Sequence, residues 1–582
     1  MKHLFRHWRT SGAVIGSLLK KGSIAVLALL VVFLAGRIYE SQRGPALHRW
    51  HTWSGNEMSA EEIDQATFAQ YLAREKTIFA DLQREVTEAL PEEDKTPVNR
   101  FYRHSRVWPG QFKQDWNRSF VLMPLGKPRG SVVLLHGLTD SPYSVRYLAQ
   151  LWQQRGYVAV APRLPGHGTA PGALTAVDWE TWLAATRLAV REATRLAGAD
   201  VPLHLVGYSN GGALALKYAL DSLEDSHLRQ PQQIILLSPM IGVTAFARFA
   251  GLAGLPSVFP AFARAAWLNV APEFNPFKYN SFPVKAARQS WLLSQALQQQ
   301  IIRAARQGEL KALPPILTFQ SVMDSTVSTR AVVESLYRYL PDNGSELVVF
   351  DINQAADLRV LFRPALYAAV NTLLPPAPRA YTTTVVTNAT AHTLQTVART
   401  TLAQEREEHR YPLHLAWPAD MYSLSHVAVP FPLSDSLYGR EPDEKNRYGI
   451  SLGTISLRGE TGTLSVGLET LMRVTSNPFF PWMMTRVDER IACGEQAAVA
   501  ACLKAQTRAE ALNRIRCRTV RSRIPTIAAG ATKRNRRTNR ELMPRKMPIP
   551  GRSKVWISRP AEALTWSTVT LPCWISSEMT PK

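Results

Sequence analysis

Cysteine is almost missing from this chain. Of 582 residues only Cys493, Cys502, Cys517 and Cys573 are cysteine, and all four fall after residue 490. The first 490 residues therefore contain no disulfide and no thiolate ligand, and their fold rests on burial and hydrogen bonding in any redox compartment. The four spacings match no zinc pattern, and neither metal nor cofactor is expected. Aspartate is absent from the same terminal stretch, which carries 18 Lys or Arg against 5 Glu and so more than half of the chain's net charge of +22. A basic tail attracts nucleic acid or anionic lipid. Residues 491–582, densest in charge at Lys533-Arg534-Asn535-Arg536-Arg537, read instead as a disordered, solvated extension, with no nucleic-acid partner expected.

Acidic residues are also absent from the first 21 positions, which hold Lys2, Arg6, Arg9, Lys20 and Lys21. An apolar run follows over residues 22–36, slightly short of a full membrane span. No small-x-small cleavage site closes it, because Arg37 and Ile38 come next. With Tyr39 as an interfacial aromatic, residues 22–40 are expected to form a single-pass anchor. The positive flank keeps the N-terminus cytoplasmic and puts the remainder outside, in a periplasm if the source is bacterial. Residues 41–118 join anchor to main domain. Ser59-Ala60-Glu61-Glu62 is a capping box. Phe68, Leu72, Phe79, Leu82 and Val86 then recur at helical spacing, which predicts an amphipathic helix packed on the main domain.

From residue 119 to about 490 the pattern changes. At 46% apolar residues the chain can bury one large domain with additions. Short apolar runs at 131–135, 157–161, 203–206, 314–320 and 346–350 alternate with helical stretches such as 147–155, closed by Gly156, and the stretch around 179–193. That alternation implies a parallel sheet with helices on both faces, and such sheets bind ligands at the carboxyl ends of their strands. Three motifs fall there: His136-Gly137-Leu138-Thr139, Pro165-Gly166-His167-Gly168 and Gly207-Tyr208-Ser209-Asn210-Gly211-Gly212. The last has the form G-x-S-x-G between a buried strand and a buried helix. A plain Gly/Ser bend between two core elements would look similar. The strand–turn–helix setting favours a serine whose hydroxyl stands clear of the backbone at a sharp turn.

In these three motifs, over roughly residues 120–239 and on to the acid near 324, the chain resembles the α/β-hydrolases, close to bacterial carboxylesterases and monoacylglycerol lipases. The resemblance implies a serine hydrolase acting on carboxylic esters with apolar acyl groups, through an acyl-enzyme on Ser209. It implies oxyanion donors at the N–H groups of Leu138 and Asn210, and an acid and a histidine later in the chain. It also implies a lid where aromatics gather, at about 240–313: Phe246, Phe249, Phe259, Phe262, Trp267, Phe274, Phe277, Tyr279 and Phe282. A helical cap is expected there, with ordinary helical core as the plainer reading. His136 and His167 are expected to order their loops rather than react. The same fold supports aminopeptidases, which need an acidic grip on a substrate amine, and an anchored binding protein without activity is the third reading.

The acid is expected at Asp324, in the loop after strand 314–320, where it would hold the histidine's tautomer; Asp351 is the rival. Asp324 could instead cap the helix predicted from residue 329, a role Ser325 and Ser328 also suit. The histidine departs from the family pattern. Relatives carry it just after the strand that follows the acid helix, but Asp351-Ile352-Asn353-Gln354 contains none. His392, at the start of a predicted helix, His409, in a charged run, and His414, within a strand over 411–417, are poorly placed. His426 lies in a loop just beyond that strand and is the expected general base. An insertion at about 355–410, with its core at 358–404, would supply a helix, a strand at 381–386 and a second helix, extending the sheet before the histidine is delivered.

Overall fold

In a computed structural model, the structure describes residues 2–242, 254–357, 359–443, 450–454, 473–494 and 499–511. The basic run at 533–537, Cys517, Cys573, Phe246 and Phe249 lie outside the described residues, as does the whole of a second compact unit, Cys517–Lys582.

Ten strands form one sheet. They are β1 (Phe120–Leu122), β2 (Gly130–Leu135), β3 (Tyr157–Ala161), β4 (Leu203–Tyr208), β5 (Gln233–Leu237), β8 (Ile316–Ser321), β9 (Glu346–Phe350), β10 (Thr382–Asn388), β11 (Gln395–Thr401) and β12 (Glu408–Ala416). Their order is β1-β3-β2-β4-β5-β8-β9-β10-β11-β12. The run from β3 through β10 is parallel, and β1, β11 and β12 are antiparallel additions at the edges. The mostly parallel sheet expected from the sequence is thus present. Alternation divides each central strand between two cores. Val133 and Leu135 face one side, and Val132 and Leu134 the other, all fully buried. Each such aliphatic side chain contributes about 1.5–3 kcal/mol on burial.

Helices cover both faces. On the first lie α6 (Trp179–Ala197), α7 (Asn210–Glu224) and α8 (Val284–Gln307), through Trp182, Leu214 and Leu293. On the second lie α5 (Arg146–Gln154) and α11 (Phe480–Gly494), through Trp152 and Met483. The short α9 (Thr329–Ser335) and α10 (Ala369–Leu373) flank β9 and β10 in sequence. Beyond α11, α12 (Val499–Ala511) is tied back by a Cys493–Cys502 disulfide.

Two sequence expectations give way. The expected helical cap, in its described part before α8, consists of 3-10 turns and a two-stranded ribbon of β6 (Trp267–Asn269) and β7 (Phe282–Pro283). Pro256, Pro260, Pro272, Pro276 and Pro283 interrupt it, and each removes a helical donor. α8 packs on the body instead, with Leu293, Leu297 and Ile301 in the first core. The second helix expected in the insertion is β11, whose Thr396, Ala398 and Thr400 are buried alternately. Its β-branched residues suit a pleated surface, and pairing with β10 on one side and β12 on the other decides the matter.

The N-terminal part runs through α1 (Lys2–Arg43) and α2 (Arg49–Thr52) to α3 (Ala60–Gln65) and α4 (Phe68–Leu82). Within α1, Leu18–Tyr39 is long and apolar enough to cross a membrane by length and composition, a test that signal sequences also pass, and none of its most apolar window is buried. The capping box forms as read: Ser59 Oγ accepts from Glu62 N–H while the Glu62 carboxylate accepts from Ser59 N–H. α4 is amphipathic and lies on the body, with Phe68, Tyr71, Ile78, Phe79 and Leu82 buried; Leu72, expected on that face, is exposed at 37%.

Buried charges lock the outer elements on. Glu346, at the start of β9, is fully buried and accepts from Arg486 (2.6 Å) and Arg490 (2.8 Å) of α11 and from Thr384 (2.8 Å) of β10. Burial pushes its carboxyl up, but the two guanidinium groups outweigh this and hold it below its ordinary value. Glu346→Ala would take the buried carboxylate from both guanidinium groups and leave Arg486 its contact with Glu489. The expected loss is about 3–5 kcal/mol, read as a lower urea midpoint for the full-length protein. Ser59→Ala, which removes one exposed cap, should cost only about 1 kcal/mol in the same assay.

Candidate active site

The turn between β4 and α7 carries Ser209 in a backbone conformation that side chains rarely adopt, at φ 54° and ψ −115°. Its surroundings enforce that conformation. Ser209 N–H donates to the Leu237 carbonyl of β5 (2.9 Å), and its own carbonyl accepts from Gly212 and Met240 (3.0 and 2.9 Å). Glycine is required at the crossing: a Cβ on Gly211 would collide with the Leu135 carbonyl, and one on Gly207 with the carbonyl of Gly211. The serine is 8% exposed. Strain held at a single residue by neighbouring strands is a mark of functional sites.

Two sets of donors lie beside it. Asn210 is the first residue of α7, where helical N–H groups have no intrahelical acceptor. Leu138 follows Gly137, and a Cβ built on Gly137 would stand 3.2 Å from Cβ of Ser209. The Leu138 loop is fixed by Asp140 N–H to the Gly137 carbonyl (3.3 Å) and by Tyr279 N–H to the Thr139 carbonyl (2.7 Å).

Two histidines nearby are structural. His136 Nδ1 lies 2.9 Å from the Gly137 carbonyl and Nε2 accepts from Leu164 N–H (3.1 Å), which fixes its tautomer. His167 Nδ1 lies 3.0 Å from the Pro165 carbonyl. Burial pushes His136 well below the ordinary imidazole range and His167 down to about 4, so both stay neutral.

Asp324 and His426 meet. His426 Nδ1 lies 2.8 Å from Asp324 Oδ2, and both side chains are almost wholly buried. The other Asp324 oxygen accepts from Thr326 and Val327 N–H (2.8 and 3.0 Å). Burial pushes this carboxyl up, but the facing His426 and these hydrogen bonds outweigh it and hold the group below its ordinary value. With Nδ1–H directed at the carboxylate, Nε2 is the ring nitrogen left to accept a proton. The rival, Asp351, accepts from Ile352 N–H and Thr387 Oγ1 (2.8 and 2.9 Å) and, among the described residues, bonds no histidine. The cap role open to Asp324 is taken by Ser328, whose hydroxyl accepts from Ala331 N–H. His392 lies in the turn between β10 and β11, and His414 is exposed on β12 at φ 54°. His409 approaches Glu405 at 3.7 Å.

Tyr208 links the halves of the site. It precedes Ser209, its ring stacks on His426 at 5.4 Å, and its hydroxyl donates to the His426 carbonyl (3.4 Å). The sequence reading missed three positioning residues. Ser321 Oγ donates to the Leu424 carbonyl (2.8 Å). Ser425 Oγ donates to the Val474 carbonyl. Asn353 lies in the loop after β9; its side chain donates to the carbonyls of Met421 and Pro418 (2.8 and 3.2 Å), and its N–H to that of Tyr422 (2.8 Å). Among the described residues no cluster of His, Cys, Asp or Glu is placed to hold a metal ion.

Comparison with known proteins follows the same residues. The family model described as serine aminopeptidase, S33 matches residues 126–351. A thermostable monoacylglycerol lipase of Bacillus sp. (strain H-257) is 35% identical over 89 residues, 15% of this chain and 34% of that protein. Phospholipase YtpA of Bacillus subtilis (strain 168) is 27% identical over 120 residues, 20% of this chain and 43% of that protein. The chain thus spans less than half the length of these curated relatives. Among solved structures, one described under the metagenome-derived lipolytic enzymes LipS and LipT matches with TM-score 0.33 at 23% identity, covering 41% of this chain and 88% of its own. A monoglyceride lipase of Saccharomyces cerevisiae matches with TM-score 0.31 at 16% identity, covering 40% and 81%. Over the matched region the chain is similar to the α/β-hydrolases of this family, with a monoacylglycerol lipase and a phospholipase among its curated relatives.

The Asp324–His426 contact has a pH signature. A carboxyl whose folded pKa is depressed adds stability above its unfolded pKa, and that stability is lost as pH falls through the folded value. The stability gap between the wild type and Asp324→Asn, followed by denaturant titration, should therefore be present at neutral pH and close below about pH 4. A gap that stays constant down to pH 3 would show that the carboxylate is not held in this way.

Proposed function

We propose that this chain is a serine hydrolase of carboxylic esters, anchored in a membrane by residues 22–40 with its N-terminus cytoplasmic and its hydrolase domain on the other side. The observation that carries the reading is the Asp324–His426 hydrogen bond, joined through Tyr208 to a serine held at positive φ. His426 Nε2 takes the proton of Ser209 Oγ as that oxygen attacks the ester carbonyl. The N–H groups of Leu138 and Asn210 hold the oxyanion of the tetrahedral intermediate. Collapse expels the alcohol, which receives the proton from His426 and leaves the acyl group on Ser209. A water activated by His426 then releases the acid and restores the serine. Asp324 keeps the imidazole in the working tautomer and stabilises its cation.

The aminopeptidase reading is the weaker one. Its grip on a substrate amine would need a free carboxylate near Ser209. Asp140 is the carboxylate on the neighbouring loop, and the ammonium of Lys278 already lies in its field. The aromatics of segment 254–283 do not argue for an acyl wall as strongly as their number suggests. Trp267 packs on His51 (4.9 Å), Phe277 on Tyr143 (4.5 Å), and Tyr279 hydroxyl bonds Thr169 N–H (2.7 Å). They hold the segment to the body.

Hydrolysis of p-nitrophenyl esters of increasing acyl length by the purified full-length protein tests the proposal. Ser209→Ala and His426→Ala should each lower kcat by about 1,000-fold or more. Wild-type rates in Ser209→Ala would remove the hydrolase reading. An absence of turnover in the wild type on every ester and on aminoacyl p-nitroanilides would favour an anchored binding protein.

A further inference from the structure

The end of α1 is bonded to the segment expected as a cap. α1 lies against the 3-10 turns Leu255–Val258 and Pro260–Ala266. A half-buried stripe runs along the helix at Leu30, Phe33, Leu34, Arg37 and Ile38, which recur at helical spacing, while Leu29, Val31 and Val32 are exposed. Hydrogen bonds fix the contact. Arg37 Nη2 donates to the carbonyls of Trp267 (3.0 Å) and Ala265 (3.4 Å), and Gln42 Nε2 to that of Ala261 (3.1 Å). In return Arg264 Nη1 donates to the Pro45 carbonyl (3.4 Å). Arg37 lies two residues before the end of the apolar stretch Leu18–Tyr39. A cation at that depth is costly in lipid unless protein groups satisfy it, and these carbonyls do.

Length sets the level of that contact. Leu18–Tyr39 has 22 residues. A helix rising about 1.5 Å per residue needs about 20 to cross the hydrocarbon core. Its last turn therefore stands where lipid chains meet headgroups. Tyr39 suits that boundary: its ring is exposed, and the Arg43 guanidinium lies over it at 4.7 Å. The turns bonded to this end of α1 stand at the same boundary, and they carry apolar side chains that the protein leaves open. Leu255 is 47% exposed, Val258 77% and Phe259 64%. Residues three apart eclipse in a 3-10 turn, so Leu255 and Val258 share one side. Exposed apolar residues are ordinarily scattered singly. Three within five positions, beside a helix of membrane-crossing length, form a patch that lipid covers better than water does.

We propose that Leu255, Val258 and Phe259 dip into the bilayer beside the anchor, so that these turns and the end of α1 form one lipid-facing surface. This rests on the membrane reading above and adds the face by which the hydrolase domain meets the membrane. The domain then lies on the bilayer in a fixed orientation instead of hanging from its anchor by a linker.

Lipid photolabelling of the full-length protein tests this. The vesicles are phosphatidylethanolamine and phosphatidylglycerol, with a phospholipid that carries a diazirine on one acyl chain. After illumination, adducts mapped by mass spectrometry should appear in residues 22–39 and in 254–266, and should be absent from the buried strand β5. Leu255→Gln, Val258→Gln and Phe259→Gln together should abolish the adducts in 254–266 and keep those in 22–39. The melting temperature in detergent should stay at the wild-type value, because the three side chains are exposed. Wild-type adducts confined to 22–39 would overturn the proposal, leave the anchor standing and assign the patch to a second copy or another protein. Adducts in neither stretch would remove the anchoring reading and the proposal with it. Adducts in 254–266 that survive the triple substitution would show nearness to lipid without insertion, and would also overturn it.

Discussion

The hydrogen bond from His426 Nδ1 to Asp324 joins side chains 102 residues apart, and much of the structure exists to close that distance. The chain leaves the acid loop, builds β9, and then continues the same sheet through β10, β11 and β12 before it returns. Ordering so long an excursion has an entropic cost that grows slowly with length, so the insertion is tolerable provided its own strands are satisfied. They are: β10 pairs in parallel with β9, and β11 and β12 pair antiparallel beyond it. The return segment is then pinned at Pro418, Met421 and Tyr422 by Asn353, at Leu424 by Ser321 and at His426 by Tyr208. Asn353, in the loop after β9, holds the segment that delivers His426 late in the chain.

Segments outside the sheet are attached by a repeated device, a buried arginine shared with carboxylates. Arg163, beside the His167 loop, takes Glu57 through two contacts (2.8 and 2.9 Å) and Glu75 at 3.3 Å, both from the N-terminal extension. Arg146 meets Asp435, nine residues past His426, where Tyr143 and Tyr147 also donate (3.1 Å each). Arg486 and Arg490 meet Glu346. Such groups add little net stability compared with apolar packing, but separating one from its partner is costly. They therefore favour one docking of each segment over its alternatives. The extension holds Gly166 N–H through Glu57 (2.8 Å) and the Arg163 carbonyl through the Tyr71 hydroxyl (2.5 Å), so a part of the chain far from Ser209 in sequence shapes a loop next to it.

Local patterns made a large part of this legible. The alternation in 131–135 and 157–161 predicts strands, and β2 and β3 follow within a residue. Gly156, read as a helix terminator, lies at φ 88° after α5. The capping box at Ser59 forms because all its atoms lie within four residues of one another. Gly207-Tyr208-Ser209-Asn210-Gly211 describes its own turn for the same reason: only glycine fits the crossing, and the hydrogen bonds that strain Ser209 come from strands whose adjacency the βαβ pattern already implies. Asp324 was readable as a loop residue at a strand end. By contrast, the helical cap expected at about 240–313 and the second helix expected in the insertion are overridden by proline and by strand pairing.

What the sequence alone determined was therefore short-range: the strand–turn–helix around Ser209, the caps, the apolar helix near the N-terminus, and the parallel architecture that sets strand ends side by side. Only the tertiary structure decided which of several histidines faces Asp324, that residues 395–401 pair as a strand between β10 and β12, and that Trp267, Phe277 and Tyr279 pack on the body. Short-range geometry follows from backbone sterics and hydrogen bonds between neighbours in the chain. Convergence of distant charges depends on the register of strands and the docking of loops, which are settled by burial and pairing summed over the whole domain and leave no trace in the spacing of the residues they bring together.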